Sequence, residues 1–118
     1  MKRVLLAPLA SAVLALVAPA APAATAASTV VHVGEWVSPH LTVHASPGSV
    51  VHEPGRILGN MLPSWDASAE CYFDRGAALN LWGRHHKVWV KIKWGWTGYA
   101  WVWAGGLRSH AGLPFCTP

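Results

Sequence analysis

The stretch from Lys87 to Gly106, KVWVKIKWGWTGYAWVWAGG, constrains this chain more tightly than any other part of it. It holds five of the eight tryptophans, Trp89, Trp94, Trp96, Trp101 and Trp103, in two alternating arms on either side of the turn residues Thr97 and Gly98. Alternation around a glycine-containing turn predicts a β-hairpin with arms over Val88 to Trp96 and Tyr99 to Ala104. Side chains alternate faces along a strand. Val88, Val90 and Ile92 are therefore expected to point into a core, and Trp89 to share the wetter face with Lys91 and Lys93. In the second arm Tyr99, Trp101 and Trp103 share one face, and Ala100 and Val102 the other. Burying the three aromatics of that arm would fill a core quickly, since each ring hides ~150–250 Å². A small domain cannot enclose eight indoles, so some are expected to be partly exposed and free to serve recognition.

The start of the chain has a different logic. Lys2 and Arg3 precede an apolar stretch from Val4 to Val17, and a run of alanines and prolines follows. A basic start, an apolar stretch of about 7–15 residues and a small-residue region describe a secretory signal peptide. The stretch is shorter than the roughly 20 apolar residues of a spanning helix. Residues 1–26 are thus expected to be removed, with cleavage after Ala26 in Ala24-Thr25-Ala26, or earlier at Ala21-Pro22-Ala23. No cysteine near that point offers a lipid anchor, so a released, extracellular protein with no membrane attachment is expected. Without Lys2 and Arg3 the formal charge falls from +4 to +2. That is too little basic surface for a nucleic-acid partner. Only Arg84-His85-His86-Lys87, with Lys91 and Lys93, forms a local cationic cluster.

Both cysteines, Cys71 and Cys116, lie in the mature part, where export brings oxidising conditions, and two cysteines allow a single pairing. The bridge would close a loop of about 45 residues and contribute on the order of 4 kcal/mol by chain entropy. A domain this small often needs such a staple.

Elsewhere the mature chain reads as short strands broken by Gly and Pro. Val30 to Val33 and Leu41 to His44 come first, with residues 27–38 a first strand or an extension ahead of a domain over 39–118. Ser46-Pro47-Gly48-Ser49 and Glu53-Pro54-Gly55-Arg56 are turn sequences. Ile57 to Leu62 and Ala69 to Phe73 follow as strands. Ala77 to Gly83 stays open between a loop and a short turn of helix. Several short strands at close spacing predict a small all-β barrel or sandwich.

Four of these segments, in this order, resemble the bacterial SH3-like (SH3b) domain. They are Leu41-Thr42-Val43-His44-Ala45-Ser46-Pro47-Gly48, Ile57-Leu58-Gly59, Val88-Trp89-Val90-Lys91-Ile92 and Thr97-Gly98-Tyr99-Ala100-Trp101. With Cys71 and Cys116, the chain is similar to small exported members from high-GC Gram-positive bacteria, over roughly Pro39 to Cys116. Thr42 and His44 stand where that family has asparagine and arginine, and Ser46 replaces the first glycine of its turn. The resemblance implies an SH3-like barrel of about five to seven short strands with one disulfide. It also implies binding without catalysis, to cell-wall peptidoglycan or a peptide.

The residues point the same way. Exposed indoles stack on sugars and peptides, and nearby cations meet carboxylates or phosphates. The candidate contacts are Trp65, Trp82, Trp89, Trp94, Trp96 and Tyr99, with Arg84, Lys91 and Lys93 as anion partners. No catalytic motif or acid–base pair stands out, no cofactor is called for, and a monomer is expected. The same aromatic surface would also suit a protein-interaction or inhibitor role. Seven histidines raise a metal reading through His40, His44 and the pair His85-His86, although no ligand spacing for zinc is present.

Overall fold

Runs of β-branched and aromatic residues form strands here, and glycine and proline end them. The computed structural model describes residues 29–117; the segment read as a signal peptide lies outside them. The strands are β1 (Thr29–His32), β2 (Leu41–His44), β3 (Ile57–Met61), β4 (Asp66–Phe73), β5 (Leu79–Leu81), β6 (Arg84–His86), β7 (Trp89–Trp94) and β8 (Gly98–Trp103). The only helical element among the described residues is a 3-10 turn at Ala104–Gly106. The stretch left open at Ala77 to Gly83 contains β5, which pairs with β6 across the two-residue loop Trp82-Gly83. Both loop residues have positive φ, 53° and 73°, the conformation of a type I′ turn that matches strand twist.

The other six strands form one antiparallel sheet in the order β1-β4-β7-β8-β2-β3. It does not close into the expected barrel, because β1 and β3 are its edges and do not pair. The end of β1 meets residues 106–108 instead. The Arg108 amide donates to the His32 carbonyl at 2.9 Å and the Gly34 amide to that of Gly106 at 2.9 Å. Val33 bridges Leu107. β4 is covered twice along one side, by β1 over Asp66 to Ala69 and then by the chain's last residues. There the Tyr72 amide donates to the Pro114 carbonyl at 2.9 Å, and the Cys116 amide to the Tyr72 carbonyl at 2.8 Å. The Cys71–Cys116 disulfide, with its Cα atoms 4.9 Å apart, pins that pairing.

The main core lies on the inner face. Val90 and Ile92 reach it, as alternation predicts, with Leu41, Val43, Met61, Val31, Val33 and Leu107 around them. From β8 it takes Ala100 and Val102 and not the three aromatics. Trp89 and Trp103 pair across β7 and β8 on the opposite face, yet both are fully buried. Alternation gives the correct face for Trp89, but that face is dry at this end. The β5–β6 hairpin folds over it, and Ala77, Leu79 and Trp82 pack on the two indoles in a second core. Each buried indole N–H finds a carbonyl, Trp89 that of Ala77 at 2.9 Å and Trp103 that of His86 at 2.7 Å. Gly76 makes the approach possible, since a Cβ there would overlap the Trp89 ring and stand 2.9 Å from the Pro47 carbonyl.

The tip of the β7–β8 hairpin also differs from the expected turn. Trp94 pairs with Gly98, so the loop is Gly95-Trp96-Thr97, and Gly95 supplies the left-handed residue at φ 75°. Trp96 thereby leaves the strand and stands fully exposed.

Candidate functional site

The outer face of β4, β7 and β8 is built in rows. Phe73, Trp89 and Trp103 form the first, Cys71, Lys91 and Trp101 the second, and Lys93 with Tyr99 the third. The first row is roofed around Trp89 and Trp103 by the β5–β6 hairpin. Among the described residues no strand roofs the second row, and a groove of about 840 Å³ opens over it. Phe73, Trp101 and Phe115 give this groove its aromatic surface, Pro47 and Pro114 add apolar walls, and Glu70, Arg75 and Lys91 bring charge.

The aromatics hold one another edge-on or tilted. Trp101 and Phe73 have ring centroids 6.3 Å apart at 72°, Phe73 and Phe115 are 6.2 Å apart, and Phe115 meets Tyr72 at 5.5 Å and 83°. Such pairs contribute about 0.5–1.5 kcal/mol beyond area burial, so the surface is preorganised. Lys91 Nζ lies 3.4 Å from Glu70 and 4.7 Å from the centre of the Tyr99 ring. Arg75 meets Asp74 only at 3.9 Å, on exposed side chains. The arrangement can stack on a flat or ring-bearing ligand and meet its charges at the rim, where solvent keeps each ion pair worth little.

The nine residues singled out from the sequence are not brought together. Lys91 lines the groove, and Lys93 and Tyr99 continue its face toward the tip that carries Trp96. Trp89 is buried in the second core and cannot touch a ligand. Trp94 turns to the inner face, half-buried, with its ring over Gly59. Trp65 is exposed just ahead of β4. Trp82 and Arg84 belong to the roofing hairpin. The Trp82 indole donates to the Ser38 carbonyl at 3.1 Å, and the Arg84 guanidinium lies 3.8 Å from the centre of the Trp36 ring. Trp82 also lines a smaller hollow of about 360 Å³ with Pro39, His40 and Leu79.

Besides the two half-cystines, the groove residues missing from that set are Phe73, Trp101, Phe115, Arg75, Glu70, Pro47, Pro114 and Thr117. Two carried a signal. Phe73 lies two residues after Cys71 and Phe115 directly precedes Cys116, so the disulfide must bring the phenylalanines near each other. Of the histidines raised for metal, His44 has its Nδ1 2.8 Å from the Gly55 carbonyl, and His85 and His86 lie on β6. Among the described residues no three of His, Cys, Asp and Glu gather at a metal-binding distance.

His86 gives the roof a pH dependence. Its ring stacks on Trp103 at 5.1 Å, and its Nδ1 accepts the Val88 amide at 3.3 Å, a role that needs the neutral ring. Burial first, then the positive charge of His110, Arg84 and His85, hold its pKa below the usual histidine value. An unfolded histidine takes up a proton near pH 6.5 that the folded His86 refuses, so its contribution is present above that pH and is lost on acidification. The melting temperature is expected to fall between pH 7.5 and 5.5. A His86→Phe variant, which keeps a ring on Trp103, should flatten that fall, and equal slopes in the two proteins would exclude His86 as its source.

No protein-family profile, curated protein or solved structure matches this chain.

Proposed function

We propose that this chain is a secreted, noncatalytic binding module whose ligand, cell-wall peptidoglycan or an extended peptide, lies in the groove over Trp101. The observation that carries this reading is the change along one sheet face, roofed at Trp89 and Trp103 and open at Lys91 and Trp101. Packing alone gives no reason to leave Phe73, Trp101 and Phe115 in an open groove rather than cover them. Aromatic edges and faces suit sugar rings, amide planes and proline, while Lys91 and Arg75 suit carboxylates. The signal peptide expected at residues 1–26 and the resemblance of the sequence to SH3b domains support export and a wall ligand.

The test is retention on insoluble cell wall at low salt. Wild type is expected to be held, Trp101→Ala to be held about tenfold less, the size of one lost aromatic contact, and Trp96→Ala to be held like wild type. Failure of the wild type to be retained would remove the wall reading. A protein partner is the second reading, favoured by the fully exposed Trp96 at the hairpin tip. It would appear as a partner from culture medium captured by wild type and lost in Trp96→Ala.

A further inference from the structure

Resting on the groove just proposed as the ligand site, we infer that the Cys71–Cys116 disulfide gates that site by holding Phe115 as one of its walls. Three observations converge on this. The two half-cystines themselves line the groove, beside Phe73, Lys91 and Trp101. Phe115, the residue before Cys116, is 44 % exposed and, among the described residues, makes its aromatic contacts with Tyr72 and Phe73 alone. The segment that carries it is tied to the sheet by two backbone hydrogen bonds, both to Tyr72. Phe115 and Cys116 belong to neither of the buried clusters. Take away the covalent tie, and beyond Leu113, the last residue seated in the main core, that wall of the groove is held by two backbone hydrogen bonds and the partly exposed Phe115 ring.

The sheet beneath does not depend on that segment in the same way. On its other side β4 pairs with β7 from Ala69 to Phe73, and the inner core closes through Val90, Ile92, Ala100 and Val102. Loss of the bond therefore releases residues 114–117 before it releases the fold. Cys116 is the more exposed of the two half-cystines, since Cys71 is buried and Cys116 half-buried. A dithiol reductant attacks Cys116 Sγ as thiolate, forming a mixed disulfide while Cys71 departs as thiolate and is protonated. The second thiol of the reductant then displaces Cys116 and closes its own ring. Two electrons and two protons pass to the protein, which ends with two thiols. Phe115 is freed, and Phe73, which lies between Phe115 and Trp101 in the groove, loses one of its two ring contacts.

The experiment compares oxidised protein with protein reduced by dithiothreitol, at a temperature where far-UV circular dichroism shows the strands intact. Two properties are followed: retention on insoluble cell wall, and acrylamide quenching of Trp101, isolated as the difference between wild type and Trp101→Phe. Reduction is expected to lower retention about tenfold and to raise Trp101 quenching, and reoxidation to restore both. Unchanged quenching and unchanged retention in reduced, folded protein would overturn the gate. Phe115→Ala with the bond intact should bind as weakly as the reduced protein, and full retention in that variant would overturn Phe115 as the wall. This variant decides the matter if the reduced chain unfolds. If oxidised wild type is not retained at all, the wall ligand is wrong, and the quenching arm still tests the gate.

Discussion

A Trp89→Ala variant is expected to lose about 3–5 kcal/mol of folding stability, the cost of truncating a buried tryptophan. For a domain of about 90 residues that is a large part of the whole. Three losses coincide. The indole is fully buried between the sheet and the roofing hairpin, the Ala77 carbonyl loses the donor now 2.9 Å away, and the edge-on contact with His44 at 5.5 Å disappears. Gly76 leaves a gap on one side that its own hydrogen cannot fill. Thermal melting should drop by well over 10 °C, at roughly 4–8 °C per kcal/mol for a domain of this size. Trp89→Phe restores much of the volume without the hydrogen bond and should fall between the two. A loss below about 1 kcal/mol for Trp89→Ala would mean that the β5–β6 hairpin contributes no packing, against the buried cluster described above.

Replacing both cysteines, as Cys71→Ala with Cys116→Ala, is expected to cost about 2–4 kcal/mol. The sequence separation of the bridge is 45 residues, and leaving that loop open in the unfolded chain accounts for about 4 kcal/mol by chain entropy. Cys71 is itself buried, and it sits where β4 carries a register shift between Ala69 and Cys71. The bond thus fixes an irregular stretch of strand as well as a chain end. Urea unfolding of the double variant, compared with wild type in the absence of reductant, measures the cost. An unchanged midpoint would show that the 114–117 segment is held by its backbone pairing alone. The wall-retention and stability arms are separable, because residues 114–117 are expected to be released at denaturant concentrations where the sheet is still intact.

Much of the architecture was legible because it depends on local patterns. Alternation located β7 and β8 and sent Val90 and Ile92 inward, and cysteine count alone paired Cys71 with Cys116. What could not be read is what covers each face. Nothing local in Ala77 to Gly83 announces that it will fold back on Trp89, since its strand comes from pairing with β6 and its turn uses a tryptophan in left-handed conformation. The same roof moved Trp89 from candidate contact to core. The groove was missed for a related reason: Phe73, Trp101 and Phe115 come from three separate segments, and only β-pairing plus the disulfide makes them neighbours. Lys91 was found because its strand parity put it on the correct face, whereas Trp65, Trp82 and Arg84 were chosen by residue type and fall elsewhere. Barrel closure failed at the edges, where a short β1 is met by residues 106–108 rather than by β3.

Four indole N–H groups end on backbone carbonyls outside the six-stranded sheet: Trp36 on Gly105, Trp82 on Ser38, Trp89 on Ala77 and Trp103 on His86. A carbonyl is common to all twenty amino acids. The Trp82 anchor therefore makes no use of the side chain of the exposed Ser38, whereas at Gly105 a Cβ would overlap the Trp103 ring, so that there the residue as well as its carbonyl is fixed.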